Sequence, residues 1–433
     1  MSTDSPEGVS LAEHRKGPVA LLLAVNLLLI IAGYYTVKTA SRSIVLEDAG
    51  SEMLPYIWIG SALTMLLLVP LYQAAARRLS RFSLLFSTLA LSVVAILVFW
   101  FRLKTPTINE AALFYGLCDI MSVVIVEQFW SLTNSIFLVG QARRWYWAIG
   151  SGGLLGGIAG SLLAVWLISE AGMTTTDLLL VAVAIVSAIG FATAGMVARG
   201  MLRPSEAAAA PADVAPDEST SAREKSYLLL VAIILLLAQL VSPFIEYQFM
   251  TLVGDRFADQ DERTVYLSSV FAWISGVALL INLSMTSWVH RRFGALGGLL
   301  VRPLVIIAGS AAFLAAPVLN VAAVLRVMDK ALAYSINRAS RELLYVPMHP
   351  STVYDAKAWI DMLGFRVFKV FGSFVILLLT VHIHLPASLA ELSLIVLAAC
   401  LLWAAVILRV RRRFSAMLPT QLCDMPGAQP RFG

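Results

Sequence analysis

The feature that most limits this chain is a succession of about twelve apolar runs, each near the roughly 20 residues an α-helix needs to cross a hydrocarbon core. Of 433 residues, 59% are hydrophobic and only 14% charged, with a mean hydropathy of +0.82. A soluble domain carries roughly 25% charged residues. No water-soluble fold hides this much apolar surface, and disorder is excluded by the same figures. Twelve spans take up about 240 residues, leaving short loops and no sizeable soluble domain. The predicted fold class is all-α membrane protein, with twelve transmembrane helices in two six-helix bundles.

Composition shifts mark the organisation. Residues 200–225, GMLRPSEAAAAPADVAPDESTSAREK, are rich in Ala, Pro, Ser and acids and read as a flexible linker. The chain then divides into a cytoplasmic N-terminus (1–17), an N-terminal bundle (18–199), the linker (200–225), a C-terminal bundle (226–409) and a cytoplasmic tail (410–433). A basic turn recurs at equivalent places in the two halves, AARRLSRFS after the second run and VHRRFGALGG after the eighth. Eighteen Lys and Arg fall in one alternating set of loops and ends and four in the other, which places both termini and the linker in the cytoplasm. The net charge of +5 is therefore read as topology and not as nucleic-acid binding. MSTDSPEGVSLAEHRKG, with acids and no apolar core, is neither a cleavable signal nor a transit peptide.

Nine basic residues lie inside the spans: Lys38, Arg42, Arg302, Arg326, Lys330, Arg338, Arg341, Arg366 and Lys369. Six acids accompany them: Asp119, Glu127, Glu246, Asp329, Glu342 and Asp361. Each such charge costs at least about 2.5–3.5 kcal/mol at the bilayer centre, so these residues belong to a bundle interior or wet cavity. The positive excess is poorly satisfied until an anion enters. On a continuous helix Arg326, Lys330, Tyr334, Asn337 and Arg341 form one stripe about 80° wide. Tyr34, Lys38 and Arg42 share one face of the first helix. Cations beside tyrosines suit a ligand with phosphate or carboxylate groups and a stackable ring.

Structural pairing competes with this reading. Arg338 and Glu342 are spaced as an i,i+4 pair, Asp329 can neutralise Lys330 or Arg326, and Arg302 before Pro303 reads as an interface anchor. Gly152, Gly156 and Gly160 in GSGGLLGGIAGS share a helix face and read as close helix packing, because a phosphate cradle would need a Lys-Ser/Thr ending. The cysteines Cys118, Cys400 and Cys423 and the five histidines show no disulfide, metal or triad spacing. No catalytic, metal or cofactor site is predicted, and no obligate protein partner is evident; the partners expected are a small anionic solute and the bilayer.

Four stretches resemble the ATP/ADP translocase (nucleotide:nucleotide antiporter) family of bacteria and plastids, a distant branch of the major facilitator superfamily. They are YYTVKTASRSIVL (34–46), ALFYGLCDIMSVVIVEQFWSLTNSIF (112–137) with the QARRWYWAIGSGGLLGGIAGS that follows, PFIEYQFM (243–250), and DKALAYSINRASRELLYVPM (329–348) with AKAWIDMLGFRVFKVFGS (356–373). Glu246 stands at the family's glutamate, and Lys330, Tyr334, Arg341, Asp361, Lys369 and Gly372 fit its most specific pattern. Two departures stand out. Arg341 occupies a position where many members carry Lys, and Cys118 falls where the fourth-helix acid is expected, with Asp119 beside it.

The resemblance implies a twelve-helix facilitator in a bacterial inner membrane, exchanging nucleotides by alternating access. Lys38, Arg42, Arg326, Lys330, Arg341 and Lys369 would clamp phosphates, and Tyr34, Tyr35 or Tyr334 would stack on a base. Glu246, with Asp119 or Glu127, and Asp361 would balance the cations or carry a coupling proton. A proton-coupled carrier of another organic anion, such as a phosphorylated metabolite or a lipid-linked precursor, stays open at this point. So do a membrane enzyme acting on a phospho-lipid and a non-transporting receptor or scaffold, although no catalytic spacing supports the former.

Overall fold

A computed structural model describes the backbone of residues 6–137, 139–202, 222–345, 364–382 and 389–417, and side chains over most of these. Every regular element among them is helical: α1 (Pro6–Asp48), α2 (Leu54–Arg78), α3 (Arg81–Arg102), α4 (Ile108–Ile136), α5 (Val139–Ser169), α6 (Leu178–Ala198), α7 (Ala222–Arg256), α8 (Gln260–Ser284), α9 (Thr286–Ala315), α10 (Leu319–Tyr334), α11 (Ile336–Leu343), α12 (Phe365–Leu377) and α13 (Leu392–Met417). Ten of the described helices are long and apolar enough to cross a membrane. The chain is a multi-pass helical membrane protein, and twelve spans remain consistent with it.

Local chemistry sets the ends. Thr107 caps α4 through a reciprocal box, its hydroxyl accepting from the Glu110 N–H while the Glu110 carboxylate accepts from the Thr107 N–H. Ser80 caps α3. After the basic turn at Arg291 and Arg292, Gly294 adopts φ 70° and ψ −177°, a conformation reserved almost wholly for glycine, and splits α9 into a short leading turn and a long apolar helix.

The continuous helix expected through residues 326–341 is not what forms. It is interrupted at Ser335, where φ −114° and ψ −105° end α10, and α11 restarts at Ile336. The Ser335 hydroxyl donates to the Ala331 carbonyl at 2.7 Å, the local competition by which serine loosens a helix end. Arg326 and Lys330 share α10, whereas Asn337 and Arg341 lie beyond the break, so a single continuous helix wheel does not place them. Only part of the apolar run at 358–381, as α12, falls within the described residues.

The chain forms two compact units. Unit 1 comprises residues 1–49, 67–212 and 258–276; unit 2 comprises 50–66, 213–257 and 277–433. In unit 1, α1 packs along α5 and against α4 and α6. A Cβ added at Gly152, Gly156 or Gly160 would sit 2.3 Å from the carbonyl oxygen of Ala24, Leu28 or Ala32 respectively, so these glycines let two backbones touch. In unit 2, α9 packs on α10, α11 and α13, while α7 packs on α10, α12 and α13.

Candidate functional site

Each unit carries its own group of buried cations. In unit 1 the group grows out of the last turns of α1. Lys38 is 8% exposed, and its ammonium lies 4.5 Å from the ring centre of Phe271 on α8, 4.8 Å from Tyr35 and 5.3 Å from Tyr34. The rings meet edge to face, Tyr35 against Tyr34 at 5.5 Å and against Phe271 at 5.9 Å. Three aromatic faces are a favourable seat for a partly desolvated cation, each worth about 0.5–2 kcal/mol. One turn on, Arg42 bonds to the Asp119 carboxylate of α4 at 2.7 Å and to the Ser41 hydroxyl at 3.1 Å, with its guanidinium 4.2 Å from the Tyr115 ring. Asp119 is the acid that meets Arg42 among the described residues.

The predicted acids fare differently. Asp119, the residue after Cys118 on α4, reaches the Arg42 guanidinium at 2.7 Å. Glu127, two turns along α4, is exposed. Tyr35 is 6% exposed and gives its ring to Lys38, whereas Tyr34 is half-buried. Just beyond Arg42 along α1, Arg263 is buried, donating to the Ser43 carbonyl at 3.1 Å and to Glu47 at 2.9 Å. A cavity of about 470 Å³ there is lined by Glu47, Asp48, Asp177, Asp259 and Asp261 with Lys104, an environment of the wrong sign for a polyanion.

In unit 2 the charges converge from α7, α9 and α10. Asp329 is fully buried, and its Oδ1 accepts from Arg302 Nε at 3.1 Å and Nη2 at 2.7 Å. Arg302 is 5% exposed, with its guanidinium 5.4 Å from the Trp403 ring, so it is an interior residue and not the interface anchor its place before Pro303 suggested. Asp329 is claimed chiefly by Arg302, a residue 27 positions away, which short-range spacing could not reveal. Arg326, 2% exposed, pairs with Glu246 of α7 at 3.0 Å. Lys330 donates to the Ser242 hydroxyl at 2.5 Å and stands 3.9 Å from Asp329 Oδ2. Three cations here face two acids.

Of the remaining predicted residues, Tyr334 is exposed at the end of α10, and Lys369 of α12 lies 5.9 Å from the Trp58 ring. Arg341 on α11 is half-buried. Asp361 lies outside the described residues. Sequence reasoning missed Ser242, which has no charge to attract notice, and misread Arg302; the signal available for Ser242 was its spacing of four residues before Glu246.

The described residues form an all-helical membrane fold with buried arginines and lysines, and solved structures share that fold. The chain superposes on a nucleoside transporter, NupG, with a TM-score of 0.58 at 12% identity, covering 91% of this chain and 98% of that one. It superposes on a bacterial homologue of the iron transporter ferroportin with a TM-score of 0.65 at 11% identity, again covering 91% and 98%. The family model described as TLC ATP/ADP transporter matches residues 107–323 and 315–414, well over half of the sequence. The chain belongs to that family. ADP,ATP carrier protein 1 of Chlamydia muridarum is 24% identical over 345 residues, and that of Chlamydia pneumoniae 22% over 348. The matches take in 70% of this chain and 65% and 67% of those proteins, so the chain spans about two thirds of their length.

Proposed function

We propose that this protein exchanges adenine nucleotides, ATP against ADP, across a bacterial inner membrane with its termini on the cytoplasmic side. The relatives named as ADP,ATP carriers and the family description support the cargo, and the distribution of basic loops supports the orientation. Lys38 and Arg42 in unit 1, and Arg326, Lys330, Arg341 and Lys369 in unit 2, are the phosphate-binding groups on this reading. Tyr34, Tyr35 and Tyr334 are the aromatic ones, with the burial of Tyr35 favouring Tyr34 and Tyr334 as the faces open to a base. Asp119 and Glu246 hold Arg42 and Arg326 in place when no nucleotide is bound.

Arg326 carries the argument. It is 2% exposed and has one carboxylate at 3.0 Å, yet its Nε and Nη1 are buried with no acceptor among the described residues. Each buried donor left unmade costs about 1–3 kcal/mol, more on a charged group. A phosphate oxygen supplies the missing acceptor and the missing charge together. Exchange follows from the same energetics: an emptied carrier regains the penalty that the departing anion had removed, so return is favoured with a counter-nucleotide aboard.

The test is uptake of labelled ATP into liposomes that hold the purified protein and unlabelled ADP. Uptake should vanish when the liposomes are loaded with buffer alone and should survive a protonophore. Arg326→Gln should lower it at least tenfold in protein that remains folded. Uptake indifferent to internal ADP, or abolished by the protonophore, would overturn exchange in favour of a proton-coupled organic-anion carrier.

A further inference from the structure

We infer that Ser242 is a positioning residue that keeps Lys330 available to the bound anion, by standing between its ammonium and Asp329. The inference rests on the reading of Lys330 as a phosphate-binding group. α7 and α10 face each other through two rungs, each joining residues four apart on both helices. In one rung Glu246 meets Arg326 at 3.0 Å. In the other Ser242 meets Lys330 at 2.5 Å. An acid answers the first cation, but a hydroxyl answers the second. The two rungs therefore differ by one unit of negative charge.

The Ser242 hydroxyl is used in both directions. Its oxygen accepts from Lys330 Nζ, and its hydrogen is donated to Asp329 Oδ2 at 3.2 Å. Asp329 is thus filled on one oxygen by Arg302 and on the other by Ser242. With those positions taken, Lys330 stays 3.9 Å from the carboxylate, outside hydrogen-bond range although the two residues are neighbours in sequence. The ammonium has three N–H donors, of which Ser242 takes one. The Lys330 side chain is 21% exposed, which leaves its other donors a route to solvent or ligand.

Removing the hydroxyl leaves Asp329 Oδ2 without a donor and Lys330 without an acceptor, less than a bond length apart from satisfying each other. The ammonium then closes onto the carboxylate as a direct hydrogen-bonded pair, and the donors it turned to the ligand are taken up. Ser242 is buried, and α12 packs closely beside it: a Cβ at Gly372 would meet the Leu240 carbonyl oxygen at 3.1 Å and Pro243 Cγ at 3.6 Å. A flexible surface serine could not keep two charges apart in this way; a buried one packed against a neighbouring helix can.

Two measurements on the full-length protein test this. Exchange kinetics in ADP-loaded liposomes should show Ser242→Ala raising the KM for ATP about tenfold with Vmax within about threefold, and Ser242→Thr holding KM within about twofold. Loss of fold alone would lower Vmax and leave KM in place. Separately, acetylation of Lys330 by acetic anhydride, followed by mass spectrometry at fixed pH, should slow several-fold in Ser242→Ala and not in Ser242→Thr, because a direct carboxylate contact ties up the amine. Equal acetylation of Lys330 in the wild type and Ser242→Ala, or equal damage from Ala and Thr, would overturn the inference. A wild-type protein that exchanges no nucleotide would instead remove the proposed function, and the acetylation ratio would still decide the place of Ser242.

Discussion

Gly156→Ala tests how α1 is held where Lys38 and Arg42 can do their work. A Cβ at this position would lie 2.3 Å from the Leu28 carbonyl oxygen and 3.0 Å from its carbonyl carbon. Carbon-to-oxygen contacts between helices settle at about 3.3–3.6 Å, so the two backbones must part by about 1 Å. Backbone atoms cannot rotate aside as a side chain would. Overpacking of this kind costs about 1–3 kcal/mol. For a unit of roughly 200 residues, at about 2–4 °C per kcal/mol, the melting temperature should fall by about 2–12 °C. Gly152 and Gly160 make the same 2.3 Å approach, to Ala24 and Ala32, and should lose similar stability.

Their effects on transport should differ. At a rise of 1.5 Å per residue Ala24 is about 21 Å along α1 from Lys38, and Ala32 about 9 Å. Gly152→Ala should lower the melting temperature while folded protein still exchanges nucleotide; Gly160→Ala should lower both. Gly150 is the control, since a Cβ there meets nothing within 4 Å. Thermal melts in detergent and exchange in liposomes read the two effects separately. If Gly156→Ala melts with the wild type, or Gly150→Ala falls as far, the backbone contact is not what joins these helices.

Three other perturbations have definite outcomes. Asp329→Ala or Arg302→Met strands a buried charge and should cost about 3–5 kcal/mol in a thermal melt, most of it recovered in the double variant Arg302→Met, Asp329→Leu; absence of recovery would show that the pair is not the unit that matters. Gly294→Ala forces a side chain into the glycine-only region at φ 70° and should destabilise by about 1–3 kcal/mol, visible as a lowered melting temperature. Asp119→Asn removes the charge that opposes Arg42 at 2.7 Å and should lower both KM and Vmax for exchange, the nucleotide binding more tightly and leaving more slowly; a raised KM would make Asp119 a direct ligand contact instead.

Much of this architecture is legible in residue order because lipid imposes simple rules. Apolar runs of about 20 residues must be helices when no water can satisfy their backbone, and basic loops report the cytoplasmic side. The glycines at 152, 156 and 160 announce a close helix contact by spacing alone, although only the packed chain says that α1 is the partner. The break at Ser335 escaped that reasoning. A wheel drawn over residues 326–341 assumes a continuous helix, and a Ser-Ile-Asn run that loosens it gives no change in hydropathy.

The sequence by itself determined that this chain lives in a membrane, that it buries more positive than negative charge there, and, through the stretches around Lys38, Glu246 and Lys330, which family it resembles. Those properties are set by composition and short-range order, which survive any arrangement of the helices. Only the tertiary structure decided who pairs with whom: Arg302 with Asp329, Arg326 with Glu246, Lys38 with three rings, and Lys330 with a serine in place of an acid. Charges on different helices become partners through distances that no spacing along one helix encodes. At 2.7 Å the Arg302–Asp329 pair is hydrogen-bonded, whereas at 3.9 Å Lys330 meets Asp329 through charge alone and keeps its N–H donors for other acceptors.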